Sequence, residues 1–450
     1  MQTINPYTRQ VVFDYEYFDE PTTEKCLEKA ENSFQNWKLI SVDTRIEYVK
    51  KLIEVLKADK EKLALSCVSE MGKPITQARA EIDKCIWLCE YYISNSKQIL
   101  QQKIIETDAL QSYVLHEPLG IILGIMPWNF PYWQVFRFAI PTIMAGNCVV
   151  VKHASNVMQS AIFIEELFTK AGFPENIYTN LQISGVQAQK CIENPIIKAV
   201  SLTGSEQAGR EVAKTAGTNL KKCVLELGGN NAFIVCKDAD LDKTIAVAIN
   251  ARLQNAGQSC IAAKRFLIHK SIENEFINKL ISSIKLLIFD NPVLEKTQMG
   301  ALARIDLADE LHLQIEKSIE KGAEVVYQGR RESAHFEPVV LKNVTETMEI
   351  FKEETFGPVF SISTFDTFKE AIQQSNNSNF GLGVSIFTSD YESVIKYINQ
   401  FNEGAVFINE LVKSDPRLPF GGIKNSGYGR ELSADGLLEF VNKKTVYIKS

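Results

Sequence analysis

The sequence has no cysteine pair at the C-x-x-C spacing of zinc or dithiol motifs, no uninterrupted apolar run of membrane-spanning length, and no block of like charge. Each absence excludes something. The nine cysteines, at 26, 67, 85, 89, 148, 191, 223, 236 and 260, are dispersed, which argues against a disulfide framework and a structural zinc site, and no metal centre is expected. Cys85 and Cys89 stand at helical spacing and read as small core residues. The most apolar window, Pro131 to Val151, contains Arg137, Pro141 and Gly146, so it reads as a buried helix followed by a strand. Net charge is −6 with Lys and Arg scattered, so no stripe is available for nucleic acid or an anionic membrane, and a small-molecule partner is expected. The opening MQTINPYTRQ has no apolar stretch behind a basic lead, so no signal peptide is expected and the location expected is cytoplasmic.

What is present is a globular composition, with 45% apolar and 23% charged residues. At 450 residues the chain exceeds what one core holds, and two lobes are expected. From Thr22 to about Leu100 the pattern is helical: Ala30, Phe34 and Trp37 share one face, and Ile46, Val49, Ile53 and Leu56 share another. Asp43 is a plausible N-cap for the second helix, and Gly72 with Pro74 is expected to stop a third.

From Tyr113 short β-branched runs alternate with helical segments, the signature of βαβ units and a parallel sheet. IILGIM (121–126) precedes a helix after Pro131, and CVVVKH (148–153) precedes one from about Asn156 to Lys170. AVSL (199–202) leads through Thr203, Gly204 and Ser205 into a helix ending near Ala216. After CVLEL (223–227) and Gly228-Gly229 a second series starts at AFIVC (232–236), which places the lobe boundary near Gly229.

Four places carry chemistry. Cys260, in NAGQSCIAAKR (255–265), sits on a Gln/Gly/Ser loop where a thiol is reachable, although a lone cysteine is ordinarily packing. Glu226, in LELGGNN (225–231), is a carboxylate between leucines at a strand end; an apolar pocket would raise its proton affinity into the range of a general base. Asn129 lies in PWNFP (127–131), where two prolines fix the turn and hold an amide that could donate to an oxyanion or simply cap the backbone. Lys152 and Ser155, in VVVKHASN (149–156), lie at the carboxyl end of a strand, where open α/β sheets bind nucleotides. SLTGSEQAG (201–209) adds a helix N-terminus suited to phosphate, yet the G-x-G-x-x-G dinucleotide fingerprint is absent.

Together, PWNFP, LELGG, N-x-GQ-x-C (255–260), EETFGPV (353–359) and PFGGIKNSGYGRE (419–431) resemble the aldehyde dehydrogenases over nearly the whole chain. VFRFAIP (135–141), KHASNV (152–157) and SDPRLPFGG (414–422) look like the short bacterial succinate-semialdehyde dehydrogenases within that family. The resemblance implies an α/β fold. It has a Rossmann-like cofactor domain (1–110 and 121–229), an α/β catalytic domain (230–428) and a small β oligomerisation element (111–120 and 429–450). QSYVLHEPLG (111–120) and VNKKTVYIK (441–449) look like its strands, which implies a homodimer or tetramer.

The same resemblance implies Cys260 as nucleophile, Asn129 as oxyanion donor and Glu226 as the base that activates water against a thioester. It implies an NAD(P) site of Met126, Pro127, Trp128, Lys152, Ser155, Thr203, Gly204, Ser205, Leu227, Glu354 and Phe356. Lys152 would meet the adenosine ribose, Gly204 and Ser205 the pyrophosphate, and Glu354 with Phe356 the nicotinamide ribose. NAD-preferring members resemble a pattern with Glu where this chain has Ser155. That Glu would repel a 2′-phosphate, so NADP is expected to be accepted and preferred, with NAD also used. Arg137 looks like the anchor for a distal carboxylate, with Ser414 assisting and Trp133 as an apolar wall; a structural ion pair is the competing account of Arg137. The position two after the nucleophile is Ala262, so no disulfide switch is expected there. Cys260 is expected to be an exposed, low-pKa thiol open to over-oxidation.

Other readings stay open: dehydrogenation of glutaric or small neutral aldehydes, or a catalytically silent scaffold of the same fold. A CoA-acylating relative would lack Glu226. A thiol hydrolase would want a His near Cys260, and none of the five histidines occupies such a motif.

Overall fold

The computed structural model describes residues 1–449. Three long helices lead: α1 (Glu20–Trp37), α2 (Val42–Met71) and α3 (Ile75–Ile99). The helix starts differ from expectation in one respect. Ser41, not Asp43, caps α2, its hydroxyl accepting from Thr44 N–H, while Asp43 lies in the first turn where its charge suits the helix dipole. Gly72, left-handed at φ 72°, ends α2 and not a third helix. The physical reason is that residues 42–71 contain no breaker, so 30 residues form one helix and Pro74 then introduces α3.

The first sheet holds five parallel strands in the order Lys222–Glu226, Ile197–Thr203, Ile121–Met126, Cys148–His153, Tyr178–Asn180. Gly427–Tyr428 returns to pair antiparallel on Lys222–Glu226. The direction of winding reverses between Ile121–Met126 and Ile197–Thr203, and at such a reversal the loops after the strands diverge and leave a crevice. The helix α4 (Trp133–Met144) is buried along all twelve residues, which accounts for the apolar window. Gly124 lets it close on the sheet, since a Cβ there would stand 2.6 Å from the Phe138 ring.

A second sheet orders Glu324–Gln328, Val339–Lys342, Val359–Phe365, Ala263–His269, Asn231–Val235, Val384–Phe387 and Val406–Ile408, parallel except for the first pair. Its core runs from Ala232 to Phe401, and the other core from Leu27 to Leu227. The chain after 428 divides. Leu432, Leu437 and Phe440 pack into the first core, and Val441–Ile448 pairs antiparallel with Gln111–Pro118 in a small three-stranded sheet. No helix among the described residues is long and apolar enough to cross a membrane.

Candidate active site

The crevice at the reversal of the first sheet is a cavity of about 660 Å³, and Cys260 lies on its wall. The loop carrying Cys260 is held in an uncommon shape. Asn255, Ala256 and Gly257 all have left-handed backbone, at φ 54°, 54° and 78°. For alanine this conformation costs on the order of 1 kcal/mol, so neighbours must hold it. Asn255 Nδ2 donates to the carbonyls of Asn129 (2.8 Å) and Gln258 (3.2 Å), and its N–H donates to Gln77 Oε1 (2.8 Å). The Gln258 amide donates to Asn255 O (3.0 Å) and accepts from Ala303 N–H (2.8 Å). Buried Arg252 donates to the carbonyls of Ala263, Thr355 and Gly357, which ties the loop to the EETFGPV segment. A Cβ on Gly257 would lie 2.6 Å from the Gly357 carbonyl, so this contact requires glycine.

The two glycines of LELGG make comparable room. A Cβ on Gly229 would lie 2.6 Å from Cys260 O, and one on Gly228 would overlap the Glu354 carboxylate. Lys264, fully buried, donates to the carbonyls of Gly229 and Cys260 (3.1 Å) and to Glu354 Oε1 (2.5 Å). Gly229 N–H also donates to Glu354 Oε1 (3.0 Å). Glu354 is therefore both ion-paired and on the cavity wall, beside Phe356, which meets Trp128 edge to face.

Asn129 is buried and lines the cavity with Cys260. One of its amide hydrogens goes to Gln258 O (3.0 Å), which orients the group and leaves the second N–H for another acceptor. The turn before α4 is fixed by Glu81, whose Oε1 accepts from Tyr132 N–H (2.9 Å) and Trp133 N–H (3.0 Å) while its other oxygen pairs with buried Lys73. Lys73 in turn stands 4.1 Å from the Phe130 ring centroid.

Burial pushes the Cys260 thiol up to about 11, against the pull of Arg137 and Lys264. This corrects the expectation of a low-pKa thiol: the sulfur is protonated at rest and needs a base. Glu226 ends its strand fully enclosed, and it is not among the residues lining the cavity. Burial, and then the neighbouring Glu431, raise its pKa well above the usual carboxylate range. Its Oε1 has no hydrogen-bond partner, and Gly421 leaves the space beside it, since a Cβ there would be 2.8 Å from that oxygen.

Met126, Pro127, Trp128, Lys152, Thr203, Gly204, Ser205, Leu227, Glu354 and Phe356 all line the large cavity. Ser155 does not; it is exposed one residue beyond Ala154, which does. Lys152 is half-buried, burial lowers its pKa, and it has no carboxylate in ion-pair range among the described residues, so it suits ribose hydroxyls or a phosphate. Gly204 N–H is committed to Glu226 O (3.0 Å), and the Ser205 hydroxyl caps the helix Glu206–Thr218 by accepting from Ala208 N–H.

On its other side Cys260 faces a smaller space of about 80 Å³, walled by Trp133, Arg137, Ser414 and Phe420 among others. Arg137 pairs with Glu431 and donates to Thr203 Oγ1 (3.3 Å), so it is at once ion-paired and on the cavity wall. Sequence reasoning missed Lys264, Glu431, Gln258 and Glu81 as supports. Each has at least one partner remote in sequence, and only the quoted motifs hinted that these neighbourhoods mattered.

The comparisons with known proteins agree among themselves. A sequence model described as the Aldehyde dehydrogenase family matches residues 1–446. A Synechocystis sp. protein named "Probable succinate-semialdehyde dehydrogenase", NADP(+), is 43% identical, covering 99% of both chains. A succinate semialdehyde dehydrogenase, NAD(P)+, of Escherichia coli is 40% identical over 99% of this chain and 97% of its own. The crystal structure of succinic semialdehyde dehydrogenase from Streptococcus pyogenes with NADP+ superposes with a TM-score of 0.97 at 37% identity, covering 100% of each chain.

Proposed function

Because the chain belongs to the aldehyde dehydrogenase family, we propose that it oxidises succinic semialdehyde to succinate through a thioester on Cys260, with NADP preferred over NAD. The observation that carries this reading is the position of Cys260 between a dinucleotide-sized cavity and a small space whose lining includes Arg137 and Ser414. Relatives named as succinate-semialdehyde dehydrogenases support the substrate.

The thiol passes its proton to solvent and adds to the aldehyde carbon, and the resulting oxyanion is met by the free N–H of Asn129 and the Cys260 backbone N–H. When bound, the oxidised nicotinamide supplies the acceptor for the hydride. Lys264 and Glu354 hold the wall on that side, so the loop of Cys260 and the cofactor side keep one spacing. The free Glu226 oxygen turns toward the thioester and takes a proton from the attacking water; burial, and then Glu431, raise the proton affinity of this carboxylate and so strengthen it as a base once it is ionised. Arg137, Ser414 and Trp133 hold the distal end of the substrate.

Lys152 meets the adenosine ribose, and Ser155 beside it presents no charge against a 2′-phosphate. A cytoplasmic location and a homo-oligomer complete the reading. All nine cysteines are unpaired, which suits a reducing compartment. The strand Val441–Ile448 leaves Tyr447 and Ile448 exposed on a sheet edge that a second copy could extend.

The experiment is a panel of succinic, glutaric and neutral aldehydes with each cofactor, followed by absorbance of the reduced nicotinamide. Highest kcat/KM for succinic semialdehyde with NADP is expected; a higher value for a neutral aldehyde or for NAD would overturn that part of the reading.

A further inference from the structure

Lys84 is a cation of the small cavity that no sequence motif marked. It projects from α3, is half-buried, and lines the same space as Cys260, Trp133, Arg137 and Ser414. Its ammonium donates to Ser414 Oγ (2.7 Å) and stands 4.2 Å from the centroid of the Trp133 ring. Both of these partners are neutral.

Every carboxylate near it is already matched to another cation. Glu81 pairs with Lys73 and accepts two backbone N–H groups, Asp415 pairs with Arg417, and Glu431 pairs with Arg137. Arg137 is therefore already committed to an ion pair with Glu431, although its charge is still felt at Lys84. Lys84 has no ion-pair partner of its own among the described residues, a state that burial disfavours unless a ligand completes it. Desolvation is felt at the group, whose pKa is lowered to about 8.

We propose that Lys84, with Ser414 as its hydroxyl partner, recognises the distal carboxylate of the substrate and sets the preference for acidic over neutral aldehydes. Arg137, held by Glu431, then serves as the rigid wall against which that carboxylate is placed. The inference rests on the reading that the substrate is an aldehyde bearing a carboxylate. A charge-assisted hydrogen bond in an enclosed site is the interaction at stake, and its loss corresponds to roughly 10- to 100-fold in affinity.

The test compares wild type, Lys84→Met and Lys84→Arg on succinic semialdehyde and on butanal, a neutral aldehyde of the same carbon count. Thermal unfolding and NADP-dependent fluorescence quenching report whether each variant keeps its fold. Lys84→Met is expected to lower the ratio of the two kcat/KM values by about 10-fold or more, and Lys84→Arg, which returns a cation, to lower it much less. If folded Lys84→Met keeps the wild-type ratio, or if both variants lose it equally, the assignment of Lys84 is overturned while the substrate reading stands. If wild type itself shows no preference for the acidic aldehyde, the substrate reading is what fails.

Discussion

Lys264 Nζ lies 2.5 Å from Glu354 Oε1 and 3.1 Å from the carbonyl oxygen of Cys260, so one buried ammonium joins the loop of Cys260 to Glu354 on the cavity wall. Lys264→Met should release both. It would strand two carbonyls and a carboxylate that is only partly open to solvent, a loss of about 2 kcal/mol, and so a fall of a few degrees in Tm. The same variant should raise KM for the cofactor, because Glu354 is no longer held. A melt combined with a cofactor titration checks this, and an unchanged KM would show that Glu354 is positioned by other groups.

Gly229→Ala tests the close approach of the two loops. The new Cβ would stand 2.6 Å from Cys260 O, and backbone must move to admit it. A displacement of about 1 Å at a reacting atom costs on the order of 100-fold in rate. We expect kcat to fall by about that factor while circular dichroism remains native.

Ser155→Glu addresses the choice of cofactor. A carboxylate introduced beside Lys152 repels a 2′-phosphate and accepts from a 2′-hydroxyl. kcat/KM with NADP should fall by about 10-fold or more, with a smaller change for NAD. Equal changes with the two cofactors would remove Ser155 from the account.

The pH dependence follows from the direction of the Lys84 shift. Its pKa is lowered to about 8 by burial first and by Arg137 on α4, against Glu81 and Cys85 on α3 and Asp415 on the facing loop. The group is charged below that pH and neutral above it. The ratio of kcat/KM for succinic semialdehyde over butanal should therefore be flat below about pH 7 and decline through pH 8 to 9. Titrations of Cys260 and Glu226 affect both substrates and cancel in the ratio. A ratio constant to pH 9.5 would contradict the prediction.

Much of the site was legible because its chemistry sits in contiguous words. Asn129 between two prolines and Cys260 after Asn-x-Gly-Gln could each be singled out along the chain and both lie on the cavity wall, Glu226 before two glycines could be singled out as a strand-end carboxylate and is buried, and the parallel strands announced themselves by β-branched runs. What could not be read was pairing across sequence distance. Glu431 compensates Arg137 from 294 positions away, and Lys84 meets Ser414 from 330. On α3, Lys84 shows no more than an ordinary helix charge, since only the tertiary packing encloses it against Trp133. The protonated state of Cys260 was equally hidden, because desolvation depends on neighbours and not on the motif. Gly72 does stop a helix, but that helix is α2 itself and not a third one, since residues 42–71 hold no breaker.

The most direct measurement of the central claim uses Glu226→Gln mixed rapidly with succinic semialdehyde and NADP. Followed by absorbance and by mass spectrometry of the peptide containing Cys260, the variant should give a burst of one NADPH per active site and a succinyl thioester on that cysteine, with later turnover nearly abolished. Steady turnover at the wild-type rate with no adduct on Cys260 would contradict both the covalent route and the role given to Glu226.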